Sequence, residues 1–131
     1  MGAKNVLKFM KEKEAEFVDL RFTDPKGKLQ HLTMDATIVD DEMINDGVFF
    51  DGSSIAGWKA INESDMILKP DTSRMIMDPF TSHNTLILFC DILDAIKKTP
   101  YERDPRGIAK KAETYLKKSG VGDKAFFGPE P

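Results

Sequence analysis

The sequence predicts an α+β domain, in which a mixed sheet carries a few packed helices. Three observations support that expectation. Val18, Leu20 and Phe22 alternate with Asp19, Arg21 and Thr23, the period-two mark of a half-buried strand. Leu86 to Cys90 is an unbroken apolar run, as expected of a central strand covered on both faces. After Pro100, a stretch with helical spacing opens on Asp104-Pro105 and closes on Gly120.

The remaining elements follow in order. Residues 4–14 read as a short amphipathic helix, with Val6, Leu7 and Met10 opposite lysines. The strand around Leu20 runs into the turn Asp24-Pro25-Lys26-Gly27, where Pro presets φ and Gly supplies a positive one. Leu29 to Met34 returns as the second arm of a hairpin, and Asp40 caps a short helix that Gly47 stops. Periodicity is lost from Asp51 to Asp65. Met66 to Lys69 and Met75 to Asp78 are short strands around the turn Pro70-Asp71-Thr72-Ser73, and Thr85 to Ile92 is the central strand. In the last helix Ile108, Ala109, Ala112, Tyr115 and Leu116 are the expected buried stripe. Lys110, Lys111, Lys117 and Lys118 then form a solvated face rather than a basic patch. Ala125-Phe126-Phe127 is expected to begin a last strand. A helix across a small curved sheet suggests a β-grasp, although periodicity does not separate that fold from other α+β sandwiches.

Composition narrows the function. The 131 residues suit one domain, and 40% hydrophobic with 31% charged residues exclude a disordered or fibrous chain. A net charge of −3 lacks the basic excess of a nucleic-acid binder. No apolar run approaches the ~18 residues of a membrane helix, and the N-terminus has no signal-peptide core. The expectation is a cytoplasmic chain that binds neither nucleic acid nor membrane. Its one cysteine, Cys90, cannot close an internal disulfide and is expected to be buried and inert. His31 is expected to pack within its strand, and His83 to lie on a loop surface.

Candidate chemistry concentrates between Phe49 and Asp65. Asp51-Gly52-Ser53-Ser54 allows a sharp turn that presents polar groups. One reading is an Asx or ST turn in which Asp51 binds backbone N–H groups. The other is a carboxylate held on a loop to bind a cation or accept a proton. Trp58, the single tryptophan, reads as a core or interface anchor, with nucleotide stacking as the second reading. Asn62-Glu63-Ser64-Asp65 adds further acids. Glu130 lies between two prolines that fix where its carboxylate points, which suits a hard-cation ligand but is not a site by itself.

These residues carry a resemblance. Phe50-Asp51-Gly52-Ser53-Ser54, the eight residues from Ile55 to Asn62, and Glu63-Ser64-Asp65 are similar to the signature of the N-terminal domain of bacterial type I glutamine synthetases. The segment Phe17 to Asp24, Asp104-Pro105-Arg106 and Phe127 to Pro131 resemble the same family in the same order, so the likeness spans the chain.

The resemblance implies a β-grasp domain over residues 1–131, with about 105–131 as a linking helix and the first strand of a catalytic domain. It implies a glutamate–ammonia ligase that phosphorylates glutamate with ATP, uses Mg²⁺ or Mn²⁺, and lets ammonia displace the phosphate. Its subunits form a homo-oligomeric ring, in which this domain contributes to the neighbouring subunit's active site. Asp51 would bind ammonium and help take its proton. Ser54 would line that pocket, Trp58 would lie near the nucleotide, and Glu130 would be a metal ligand. The sequence ends before the family's second glutamate, so a fragment is expected, inactive alone and binding neither ATP nor metal. A glutamate–polyamine ligase and a non-catalytic β-grasp interaction module are the alternatives; the intact Asp51 loop favours ammonia.

Overall fold

The computed structural model describes residues 2–55 and 65–130. In chain order the elements are α1 (Gly2–Glu12), β1 (Phe17–Thr23), β2 (Leu29–Asp35), α2 (Asp41–Asp46), β3 (Val48–Asp51), β4 (Asp65–Pro70), β5 (Ile76–Met77), β6 (Thr85–Asp94) and α3 (Pro105–Ser119). The strands form one sheet in the order β2-β1-β6-β4-β3, with the short β5 also on β6. The β1–β6 pair is parallel, and the other pairs are antiparallel. This is the mixed α+β sheet that the sequence predicts.

Period two decides which face is buried. Val18, Leu20 and Phe22 of β1 lie with Leu86, Leu88, Cys90 and Ile92 of β6 and with Met66 and Leu68 of β4. Val6 and Met10 of α1 and Ile44 of α2 close over them. A fully buried aliphatic side chain of this kind contributes about 1.5–3 kcal/mol, so this one layer supplies the main stabilisation. Cys90 belongs to it, and burial pushes its thiol pKa up, which makes the thiol inert as expected.

Turns and caps use the residues that the sequence offers. The Asp24 carboxylate accepts the Lys26 and Lys28 N–H groups and the Gln30 amide, closing the β1–β2 turn. Asp40 accepts the Met43 N–H at 2.8 Å to start α2. Gly47, at φ +88°, ends α2, and the Lys69 ammonium donates to the Ile44 and Asn45 carbonyls there. Asp104 caps α3, with Pro105 in the first turn, and Gly120 ends it in the left-handed conformation.

Four expectations need correction. The α3 stripe is not buried: Ile108 and Tyr115 are exposed and no α3 residue is fully buried, because the helix meets the sheet only near its N-terminus. Lys110 does not simply face water, since it pairs with Asp91 of β6. Residues 125–127 form no strand, having no ladder partner among the described residues. His31 is not packed in the core; it lies on the edge strand β2 and contacts the Asp19 carboxylate through Nδ1 at 2.8 Å. His83 is on the surface, as expected. One strand is additional among the described residues: the sequence around Phe49 conceals the short β3.

On the face opposite the core, Asp19 accepts hydrogen bonds from Arg21 Nε, His31 and Thr33. Burial opposes ionisation of Asp19, but these donors outweigh it and hold the carboxyl below its usual range.

Candidate functional site

β3 is an edge strand antiparallel to β4, and its last residue is Asp51. Register places Asp51 directly opposite Asp65, at the end of both strands. Directly opposed residues of an antiparallel pair point their side chains to the same face of the sheet. Asp65 thus belongs to the same corner as Asp51, which the spacing of the acids alone did not reveal.

The chain after Asp51 turns through a single 3-10 turn, Gly52–Ser54. Asp51 Oδ1 accepts the Ser53 N–H at 2.9 Å and the Ser53 hydroxyl at 2.7 Å. The expected Asx turn is therefore present, and it fixes the carboxylate rather than leaving it to rotate. Apolar neighbours hold both sides of the turn. The Phe50 ring lies 5.3 Å from that of Phe22, and Ile55 packs against the core. Asp51 and Ser54 both remain exposed on a turn anchored in this way. Trp58 lies outside the described residues, as do Ile61 and the acidic residue Glu63.

Glu130 is exposed on the irregular segment that follows α3. Among the described residues no group of three or more His, Cys, Asp or Glu side chains is placed to hold a metal ion. These residues alone do not fit the Mg²⁺ or Mn²⁺ that the resemblance implies, because Glu130 is a single carboxylate and such ions take several oxygen ligands. Among the described residues no helix is long and apolar enough to cross a membrane.

A polar cluster missed at the sequence level lies at the start of α3. The Asp104 side chain is 2% exposed, accepts the Ile92 N–H of β6 at 3.0 Å, and caps α3 through the Arg106 N–H. Burial raises its pKa, and the two N–H donors offset only part of that rise. Arg106 in turn donates to Asp91 and Asp71. The Asp-Pro-Arg spelling signalled a helix start but not this second set of partners.

Comparison with known proteins identifies the fold. Residues 14–95 match the family model described as glutamine synthetase, beta-Grasp domain. The chain is 64% identical over 128 residues to glutamine synthetase of Rhizobium meliloti (strain 1021), covering 98% of this chain and 27% of that protein. To the Escherichia coli K12 glutamine synthetase it is 55% identical, covering 100% of this chain and 28% of that protein. Its fold superposes on the cryo-EM structure of Plasmodium falciparum glutamine synthetase with a TM-score of 0.80 at 24% identity, over 90% of this chain and 23% of the other. The chain thus spans little more than a quarter of the length of the curated relatives it matches. On the strength of the family model and the identity to its members, the chain belongs to the glutamine synthetase family and carries its β-grasp domain.

Proposed function

We propose that this chain is the N-terminal part of an ATP-dependent glutamate–ammonia ligase, and that Asp51 is the carboxylate that binds ammonium at the active site of a neighbouring subunit. The observation that carries this reading is the fixed, exposed Asp51 at the end of β3, with Asp65 opposite it in the ladder. Ammonium has no lone pair and cannot attack a carbonyl carbon until it loses a proton. A carboxylate held on a rigid turn attracts the cation and accepts that proton without reorganising. Ser54 follows Asp51 on the same turn and would line the pocket.

The remaining parts of the proposal concern a longer protein. Trp58 would approach the nucleotide, and Glu130 would give one ligand to a Mg²⁺ or Mn²⁺ site completed outside this chain. The segment from about residue 105 onward would join the β-grasp to a catalytic domain, and the subunits would assemble as a homo-oligomeric ring in the cytoplasm. Glutamate and ATP would bind mainly to residues beyond this chain.

The test is Asp51→Asn in the full-length protein. Asn keeps the volume and can still accept from Ser53, so the fold should survive. Glutamine formation at limiting ammonium should fall about 10²–10⁴-fold, the usual loss for a general base. A rate within about twofold of wild type would remove Asp51 from this role.

A further inference from the structure

Helix α3 extends from the sheet without an apolar seat, and the polar residues at its first turn hold it in place. Beyond Phe89, β1 no longer accompanies β6. The segment before α3 takes that position: Tyr101 donates its N–H to the Ile92 carbonyl at 2.9 Å, and Leu93 bridges Pro100. Asp104 Oδ2 then accepts the Ile92 N–H, so both backbone groups of Ile92 serve the approach to α3. Arg106 projects back across β6: its Nε donates to Asp91 at 2.9 Å and its Nη2 reaches Asp71, just beyond β4. Lys110, one turn further along α3, also pairs with Asp91. The apolar side chains of the helix add little, since Tyr115 is 74% exposed.

We infer that Asp104 and Arg106 form a clasp that sets the direction in which α3 leaves the sheet. They are thereby positioning residues linking the part that bears Asp51 to the part that follows α3. The geometry supports a hinge-setting role over simple reinforcement. Arg106 is planar and two-armed, and it binds one carboxylate on β6 and another just past the neighbouring β4, which fixes rotation as well as distance. Pro105 between them removes the remaining freedom in φ. Asp104 cannot be exchanged for a neutral acceptor without loss, because its two oxygens each receive a separate backbone N–H. The consequence for turnover rests on the proposed ligase reading, whereas the clasp itself does not.

The experiment uses the full-length protein with Arg106→Ala, Arg106→Lys, Asp71→Asn and Asp51→Asn. Amide hydrogen exchange reports the clasp directly. Arg106→Ala should speed exchange in residues 105–119 about tenfold or more, with β1 and β4 unchanged, because charge-assisted bonds at one helix end are lost locally. Arg106→Lys and Asp71→Asn, which each keep part of the network, should show smaller effects in the same residues. In steady-state assays Arg106→Ala should raise the ammonium KM several-fold, about fivefold or more, because a loosened clasp lets the part bearing Asp51 shift against the part that follows α3, and Arg106→Lys should restore some of that loss. Exchange that accelerates equally throughout the sheet, or that leaves α3 unaffected, would overturn the clasp. An ammonium KM within about twofold of wild type for Arg106→Ala would overturn the positioning role. Failure of Asp51→Asn to change ammonium dependence, with local exchange as expected, would remove Asp51 from the ammonium-binding role and leave the clasp standing.

Discussion

Arg21 and Asp78, separated by 57 residues in sequence, are joined by a 2.8 Å hydrogen bond from the guanidinium Nη2 to the carboxylate Oδ2. The same guanidinium holds Asp19 through Nε, also at 2.8 Å. Arg21 thus connects its own strand to the segment that leads into β6. Both carboxylates are nearly enclosed, with side-chain exposures of 6% for Asp19 and 8% for Asp78. Unlike an exposed ion pair, this arrangement cannot substitute water freely when one member is removed.

Acid should expose this linkage. Hydrogen bonds from Arg21, His31 and Thr33 outweigh burial and hold the folded Asp19 carboxyl below the ordinary carboxylate range. Its stabilisation is therefore fully present above the unfolded pKa and is lost as pH falls through the folded one. Asp19→Asn should cost about 1–3 kcal/mol at pH 7, with the gap from wild type closing below about pH 4. Urea titrations of both chains at pH 7 and pH 3 measure it. A gap of equal size at the two pH values would contradict the assignment.

Gly47 should tolerate substitution less well than Gly27, although both have a positive φ. A Cβ at Gly47 would lie 2.5 Å from the Ile67 side chain and 2.6 Å from the Leu68 carbonyl oxygen, whereas nothing lies within 4 Å at Gly27. Gly27→Ala should show backbone strain alone, about 1 kcal/mol. Gly47→Ala should lose distinctly more, because backbone as well as side chain must shift. Thermal unfolding of the two variants side by side decides it, and equal losses would count against the packing described for the α2–β3 corner.

The exposed stripe of α3 makes a third expectation. Leu116, Val121, Ala125 and Phe127 line a groove of about 730 Å³ beside the helix, and Phe127 is 93% exposed. Replacing Tyr115 or Phe127 by Ser in the 131-residue chain should change its stability by no more than about 0.5 kcal/mol, as at other surface positions. A loss of about 3–5 kcal/mol, as for a core aromatic, would show that these side chains are packed in solution. Denaturant unfolding gives the answer.

Much of the fold was legible because its local signals are strong. Asp40 with Gly47, and Asp104-Pro105 with Gly120, bracket two helices in the way their cap chemistry dictates. The alternation from Val18 to Phe22 named its buried face correctly. The strand β3 was hidden because four residues beside a turn are too few to display a period. The α3 stripe misled for a different reason. Periodicity states that a face is apolar, not that anything in the same chain covers it. At the candidate site, the Asx turn of Asp51 could be read from Asp-Gly-Ser, whereas its pairing with Asp65 depends on a ladder that only the fold supplies. His31 was misplaced because its position on an edge strand is a matter of sheet order, which no local pattern encodes.

Strand β6 has one further consequence, in the order of folding. It bonds to β1, β4 and β5, and its parallel pairing with β1 joins Phe17 to Thr85. A nascent chain can form the β1–β2 hairpin early, since a short turn closes it cheaply. It cannot enclose Val18 and Leu20 until residues 85–94 emerge, because Leu86 and Leu88 complete that layer. Non-local parallel pairing of this kind slows folding. The chain that precedes β6 must therefore wait on the ribosome with part of its apolar face open, and Leu86 and Leu88, early in β6, end the wait.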